Sequence, residues 1–180
     1  MKVLILTNNA SGLFSFRAEV VQSILDKGFE VTLAMPYDSL VENFKEMGCK
    51  YANIPVDRRG VNPLKDIVLF FRYFKLITQV KPDVVLTYTI KPNVYGGVAA
   101  AICKVPCMAN ITGLGTAVET PGLLQKLTLL MYRNGLKKDA FVFFQNKFNM
   151  DFCLQHGISG VRHVLLPGSG VNLKKFENIP

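Results

Sequence analysis

Asp83-Val84-Val85-Leu86-Thr87-Tyr88-Thr89-Ile90-Lys91-Pro92-Asn93-Val94-Tyr95-Gly96-Gly97 is the stretch that decides the fold. Residues 84–86 make a short apolar run behind Pro82-Asp83, as a strand buried on both faces requires. At Thr87 the chain turns polar. Lys91-Pro92-Asn93 then breaks the run, and Gly96, Gly97, Ala99, Ala100 and Ala101 read as a small-residue helix. A buried strand that ends in a polar loop and feeds a helix sets its hydrogen-bonding groups at the carboxyl edge of a parallel sheet.

The same alternation runs outward in both directions. Strand-like runs fall at residues 3–6, 31–34, 51–54, 108–111, 140–144 and 164–166. Helical stretches fall at 13–27, 39–47 and 64–80, from Pro121 onward, and up to Gln155. Gly28, Gly48 and Gly157 suit positions just past helix ends. The expectation is an α/β, Rossmann-like, doubly wound parallel sheet of about seven strands with helices on both faces. Right-handed crossovers place the second and third strands on one side of the first and the rest on the other. The first and fourth strands then flank a crevice, and the loops at 8–12 and 87–93 open into it. The loops after the later strands join the same rim.

A chain of 180 residues is long enough for one domain with a proper core. A hydrophobic fraction of 49% against 19% charged excludes disorder. The net charge of +8 favours an acidic partner: a phosphorylated substrate, an anionic membrane surface or nucleic acid. Nucleic acid is the weakest of these, because no binding motif accompanies the charge. Cys49, Cys103, Cys107 and Cys153 lack C-x-x-C spacing and have only His156 and His163 beside them, so buried reduced thiols are expected rather than a zinc site. The amino terminus enters a strand at once, too short for a signal peptide, and no uncharged apolar run reaches spanning length. A cytoplasmic location is expected, with peripheral membrane contact left open.

Asn8-Asn9-Ala10-Ser11-Gly12 offers backbone N–H groups and a helix start to a phosphate, or is an ordinary turn with a cap. It is neither a dinucleotide fingerprint nor a Walker A loop. Tyr88, Thr89, Lys91 and Asn93 are groups of the kind that hold sugar hydroxyls, with one cation for a phosphate; the alternative is a rigid turn capped by Asn93. Thr112-Gly113-Leu114-Gly115-Thr116 lets backbone approach a ligand or forms a flexible loop. His156 suits a helix end more than catalysis. No Ser/His/Asp arrangement is legible, and acids near the rim are limited to Glu119 and Asp151.

The helix over 64–80 is apolar on two strips. Leu64, Ile67, Phe70, Phe71, Phe74 and Ile77 read as its core face. Leu69, Tyr73, Leu76 and Val80, beside Lys65, Arg72 and Lys75, form the second strip. That strip suits an interfacial membrane contact through Lys65, Leu69, Arg72, Tyr73 and Leu76, or a wide core face with a solvated basic edge. The helix after Pro121 is similar, with Leu123, Leu124, Leu127, Leu130 and Met131 among Lys126, Arg133, Lys137 and Lys138.

Five stretches carry a family resemblance: Gly12-Leu13-Phe14-Ser15-Phe16-Arg17, Thr89-Ile90-Lys91-Pro92-Asn93-Val94-Tyr95-Gly96, Ile111-Thr112-Gly113-Leu114-Gly115, Phe143-Phe144-Gln145-Asn146 and Leu166-Pro167-Gly168-Ser169-Gly170-Val171-Asn172. Together they resemble the amino-terminal, acceptor-side domain of family 4 GT-B glycosyltransferases, of the subgroup that assembles capsule, lipopolysaccharide or undecaprenyl-linked glycans. The resemblance implies a retaining transfer of sugar from a nucleotide-sugar donor, UDP-linked, to a polyprenyl-diphosphate-linked acceptor at the inner face of the membrane. It implies one Rossmann-like domain over 1–170, the start of an interdomain linker over 171–180, and a separate donor-binding domain that this chain lacks. This half alone is then expected to be inactive.

The resemblance also distributes roles. Asn8, Ser11, Gly12 and Arg17 fall to the donor phosphates and cleft. Tyr88, Thr89, Lys91, Asn93, Thr112 and Gly113 fall to the acceptor. No cofactor, metal or nucleic acid is expected. Two alternatives stand beside this reading: a nucleotide-sugar 2-epimerase of GT-B type, which the missing Arg-Pro-rich first loop disfavours, and a non-catalytic Rossmann-like binding module.

Overall fold

A computed structural model describes residues 1–57, 60, 62–114, 118, 121–170 and 172, with the side chain of Leu124 excepted. Arg58, Arg59, Gly115, Thr116, Glu119 and nearly all of the 171–180 segment lie outside the described residues. Seven strands form one sheet: β1 (Lys2–Leu6), β2 (Glu30–Met35), β3 (Lys50–Asn53), β4 (Val84–Tyr88), β5 (Cys107–Ile111), β6 (Phe141–Phe144) and β7 (His163–Leu165). Their order is β3-β2-β1-β4-β5-β6-β7, and every pairing is parallel. This is the order that right-handed crossovers dictate, with β1 and β4 adjacent at the reversal. Leu6 lies opposite both Ala34 and Thr87, so the ends of the central strands are level.

The sheet alternates its side chains between two faces. Val3 and Ile5 pack with Ala10, Leu13 and Val21 of α1 (Ala10–Asp26) and with Val41 and Phe44 of α2 (Leu40–Glu46). Leu4 and Leu6 pack on the other face with Leu69, Tyr73 and Ile77 of α3 (Pro63–Val80). Beyond β5, Ile111, Val142 and Phe144 are covered by Tyr132 and Leu136 of α5 (Leu123–Leu136) and by Cys153 of α6 (Lys147–Gln155). All four cysteines are free thiols, and Cys49, Cys107 and Cys153 are buried.

Between β4 and β5 the chain forms a five-residue π-helical turn, Pro92–Gly96, which continues into α4 (Gly97–Ile102). Such turns recur at functional sites. Glycine permits close packing here. A Cβ on Gly97 would meet the Gly135 carbonyl oxygen at 2.7 Å, and one on Gly135 would meet the Val94 Cα at 2.8 Å. α4 is thus pressed directly onto α5.

The rotation of α3 differs from the sequence expectation. Leu69 and Tyr73, assigned to a membrane contact, are buried in the core, and Leu76 is half-buried. The exposed apolar residues are instead Leu64 (74%), Ile67 (52%), Val68 (48%) and Phe71 (61%), beside exposed Lys65 and Arg72. Both strips are apolar, so periodicity did not choose between them. A polar clasp does. Asp66 accepts from Lys91 Nζ at 2.6 Å and from Tyr95 Oη at 3.0 Å. Asp66 shares a helix face with Leu69 and Tyr73 through i, i+3 and i+7 spacing, so tying it to the π-helical turn faces that strip inward.

Candidate active site

Loops from separate strands meet in one cavity of about 320 Å³ at the carboxyl edge of the sheet. Thr7 and Asn9 reach it from the end of β1, and Tyr88 and Thr89 from the end of β4. Thr112 arrives after β5, Gln145 after β6, and Ser169 from the segment beyond β7. α1 closes one wall with Gly12, Phe16 and Arg17. Among the described residues no Asp, Glu or His lines this cavity.

Arg17 is the single cation among the described residues that line it. Its residue is only 7% exposed. One Nη1–H donates to the Phe16 carbonyl at 2.7 Å, and the same nitrogen reaches the Ser169 carbonyl at 3.4 Å. Nη2 donates to Ser169 Oγ at 3.2 Å, and the guanidinium lies 5.7 Å from the centre of the Tyr88 ring. Among the described residues it has no carboxylate partner. Burial pushes the Tyr88 phenol up from its ordinary value, against the opposing pull of Arg17, so it stays a neutral donor at working pH.

Thr89 holds φ +73°, a region that β-branched residues rarely occupy. Its Oγ1 is buried without a partner, as is Nε2 of Gln145. Backbone strain and unspent polar atoms at the end of a central strand are features that cluster at functional sites.

The α1 start is less open to an anion than the sequence suggested. Asn9 caps it by accepting from the Gly12 N–H, and Asp38 Oδ2 accepts from the Ala10 N–H at 3.3 Å. Gly12 is glycine because a Cβ would stand 2.8 Å from Asn9 Oδ1. Asn8 accepts from the Asn9 amide at 2.7 Å rather than lining the cavity, and Ser11 is exposed on the first turn. Gly113 is exposed beside Thr112, with open space where a Cβ would stand.

Two acceptor assignments need correction. Lys91 is 13% exposed and spends its charge on Asp66. Asn93 is fully buried: its N–H donates to the Thr89 carbonyl at 2.9 Å and Nδ2 to the Asn110 carbonyl at 3.0 Å. Neither lines the cavity; both brace the loops that do. Arg17, Gly12, Tyr88, Thr89 and Thr112 are brought together as expected, and the structure adds Thr7, Asn9, Gln145 and Ser169. Each added residue directly follows a strand or its exit turn, which is the signal that finds them.

A second groove of about 480 Å³ runs along the start of α3, where Leu64 and Val68 meet Lys65 and Arg72. Lys65 pairs with Asp57 at 3.1 Å, and Arg72 reaches the Pro55 carbonyl at 3.4 Å. On α5, Leu123, Leu127 and Leu130 are exposed at 85%, 52% and 54%, beside exposed Lys126 and Arg133. Among the described residues no group of His, Cys, Asp and Glu gathers to hold a metal ion, and no helix is long and apolar enough to cross a membrane.

A doubly wound sheet with its cleft at the switch point, walled by hydroxyls, amides and the buried guanidinium of Arg17, defines a Rossmann-like half of the GT-B architecture. The chain belongs to the glycosyl transferase 4-like family, whose profile matches residues 2–146. It is 26% identical, over 98% of its length, to the N,N'-diacetylbacillosaminyl-diphospho-undecaprenol alpha-1,3-N-acetylgalactosaminyltransferase of Campylobacter jejuni, of which it covers 48%. Its fold matches Anabaena HepE, crystallised with UDP and glucose, at a TM-score of 0.72 and 12% identity, covering 100% of this chain and 47% of that one. It also matches the UDP-GlcNAc 2-epimerase of Methanocaldococcus jannaschii at a TM-score of 0.60 and 16% identity, covering 92% and 45%. The chain thus spans about half the length of the relatives it matches.

Proposed function

We propose that this chain is the acceptor-side half of a glycosyltransferase that moves a sugar from a UDP-sugar to a polyprenyl-diphosphate-linked glycan of a bacterial surface polysaccharide. The observation that carries the reading is the cavity into which five strand ends deliver hydroxyl, amide and guanidinium groups, with no carboxylate among the described residues that line it. Those groups suit sugar hydroxyls and a phosphate. A donor-binding domain, reached through the 171–180 segment, supplies the facing wall of the cleft. Retention fits a site without a side-chain base, because the leaving donor phosphate then takes the acceptor proton. Asn8, Ser11 and Gly113 stand at the rim as outer contacts, while Lys91 and Asn93 act on the loops rather than on the ligand. The exposed faces of α3 and α5 rest on the inner surface of the cytoplasmic membrane, where a lipid-borne acceptor is found.

The test uses a full-length protein containing this chain. It is given UDP-sugars and a short polyprenyl-diphosphate-linked glycan, and the product's anomeric configuration is read by NMR. Transfer with retention is expected. Absence of transfer from every UDP-sugar sinks the reading, and conversion of UDP-GlcNAc without an acceptor favours an epimerase.

A further inference from the structure

We propose that Asp66 of α3 is a positioning residue for the cavity: through Lys91 and Tyr95 it holds Thr89 in the backbone conformation that shapes the cavity wall. The ligand so served rests on the glycosyl-transfer reading; the link from Asp66 to Thr89 rests on the geometry alone. Asp66 lines the groove along α3, whereas Thr89 lines the cavity.

Two backbone settings in residues 89–91 run against their local sequence. Thr89 holds φ +73°, where a β-branched side chain crowds its own backbone. Its carbonyl accepts the Asn93 N–H at 2.9 Å, so it stands where a helix cap stands. A capping threonine ordinarily adds a side-chain hydrogen bond to the first turn, yet Thr89 Oγ1 has no partner among the described residues. Lys91 is right-handed helical, with φ −66° and ψ −45°, directly before Pro92. A proline ring disfavours that setting in the residue ahead of it. The segment supplies neither setting by itself, so contacts from elsewhere must hold both.

The anchors lie on both sides of Thr89. Before it, β4 is fixed by its pairing, with Tyr88 opposite Asn110. After it, Asn93 Nδ2 ties the turn to the Asn110 carbonyl at 3.0 Å. Lys91 Nζ and Tyr95 Oη donate to the two oxygens of Asp66, at 2.6 Å and 3.0 Å. The side chains of Lys91 and Asp66 are each 13% exposed, so solvent screens the pair little and loss of one partner strands the other.

The sequence offers a rival role for Lys91, as a cation that meets the acceptor phosphate. The two roles give opposite signs for one substitution. Asp66→Asn frees the Lys91 charge. A lysine that serves the ligand then binds an anionic acceptor more tightly. A lysine that serves the loop lets Thr89 relax, and binding weakens.

Steady-state kinetics of a full-length protein containing this chain, with a polyprenyl-diphosphate-linked glycan as acceptor, read that sign. Asp66→Asn and Lys91→Met are each expected to raise the acceptor KM about tenfold and to leave the UDP-sugar KM within about twofold. Lys91→Arg keeps the ion pair and is expected to stay within about threefold of the parent. Melting curves control for folding. Should Asp66→Asn fail to fold, Tyr95→Phe removes one hydroxyl from the clasp and carries both tests, with about a threefold rise in acceptor KM expected. A parental or lower acceptor KM in the folded variant overturns the proposal. An equal rise in both KM values marks a merely structural role and overturns it as well.

A double-mutant cycle in urea unfolding of the 180-residue chain needs no substrate. Glycine takes φ +73° without strain, so Thr89→Gly relieves more in the parent than in Asp66→Asn, where the clasp no longer enforces that conformation. Coupling of about fivefold in the unfolding equilibrium constant is expected, and additive effects overturn the link. A coupled cycle beside a full-length protein that transfers no sugar keeps the link and sinks the transferase. Sugar transfer beside an additive cycle does the reverse.

Discussion

Asp139 shows how much one side chain sets the conditions under which this fold is stable. It is fully buried, and among the described residues no N–H or O–H donor reaches its carboxylate oxygens. Burial pushes its pKa from the ordinary 3.8 up to about 7, a rise that the neighbouring Cys107 thiol offsets only in part. Between those values the folded chain keeps a proton that the unfolded chain has lost. Stability from this group is therefore full below about pH 4, falls as pH rises through 7, and then levels off. The shift corresponds to about 4 kcal/mol at most. Asp139→Asn is expected to gain on the parent steadily from pH 4 to 8 in urea unfolding. A difference between the two proteins that does not vary with pH would count against the account. Gly12 belongs to the same scale: its missing Cβ keeps the Asn9 cap, and Gly12→Ala is expected to lose about 1 kcal/mol with that cap.

At the scale of elements, α3 and α5 stand on either side of α4 and carry the exposed apolar residues of this face. Parallel strands send each following helix back from the carboxyl edge, so both helices begin near the cavity rim. Phe71, 61% exposed between Lys65 and Arg72, tests the surface. Phe71→Glu removes an apolar contact and adds a repelled charge. Flotation with anionic phospholipid vesicles is expected to show about tenfold weaker binding. Leu76→Glu, half-buried toward the core, is expected to lower the melting temperature instead. Equal vesicle binding by parent and Phe71→Glu proteins would remove α3 from the membrane face. The α4–α5 contact makes a different demand. Gly135→Ala drives a methyl into the Val94 backbone, and chemical denaturation should register a loss of about 1–3 kcal/mol.

At the scale of the molecule, one wall of a cleft is not a catalyst. In the proposed whole, this cavity holds its ligand from one side and a further domain supplies the facing wall. The isolated 180-residue chain is expected to transfer no sugar in a radiolabel assay with UDP-sugar and acceptor. Turnover by the isolated chain would contradict the two-wall account. The sheet that builds this wall was legible in advance. Strand-like runs at 84–86 and 108–111, separated by a helical stretch, forced parallel pairing, and handedness forced the strand order. The site was legible in outline, because Tyr88, Thr89 and Thr112 follow strands. Its bracing was not. Asp66 and Lys91 are 25 residues apart, and nothing local marks them as partners.

The sequence by itself determined the alternation of strands and helices, the order of the sheet and the edge on which the polar loops gather. These follow from local periodicity and chirality, which each segment carries alone. Only the tertiary structure decided which strip of α3 faces the core, that Lys91 and Asn93 turn away from the cavity, and that Ser169 joins Arg17 to Gln145. Those outcomes depend on contacts between distant residues, where a buried ion pair or a fixed hydroxyl chooses among arrangements that hydrophobicity leaves equal.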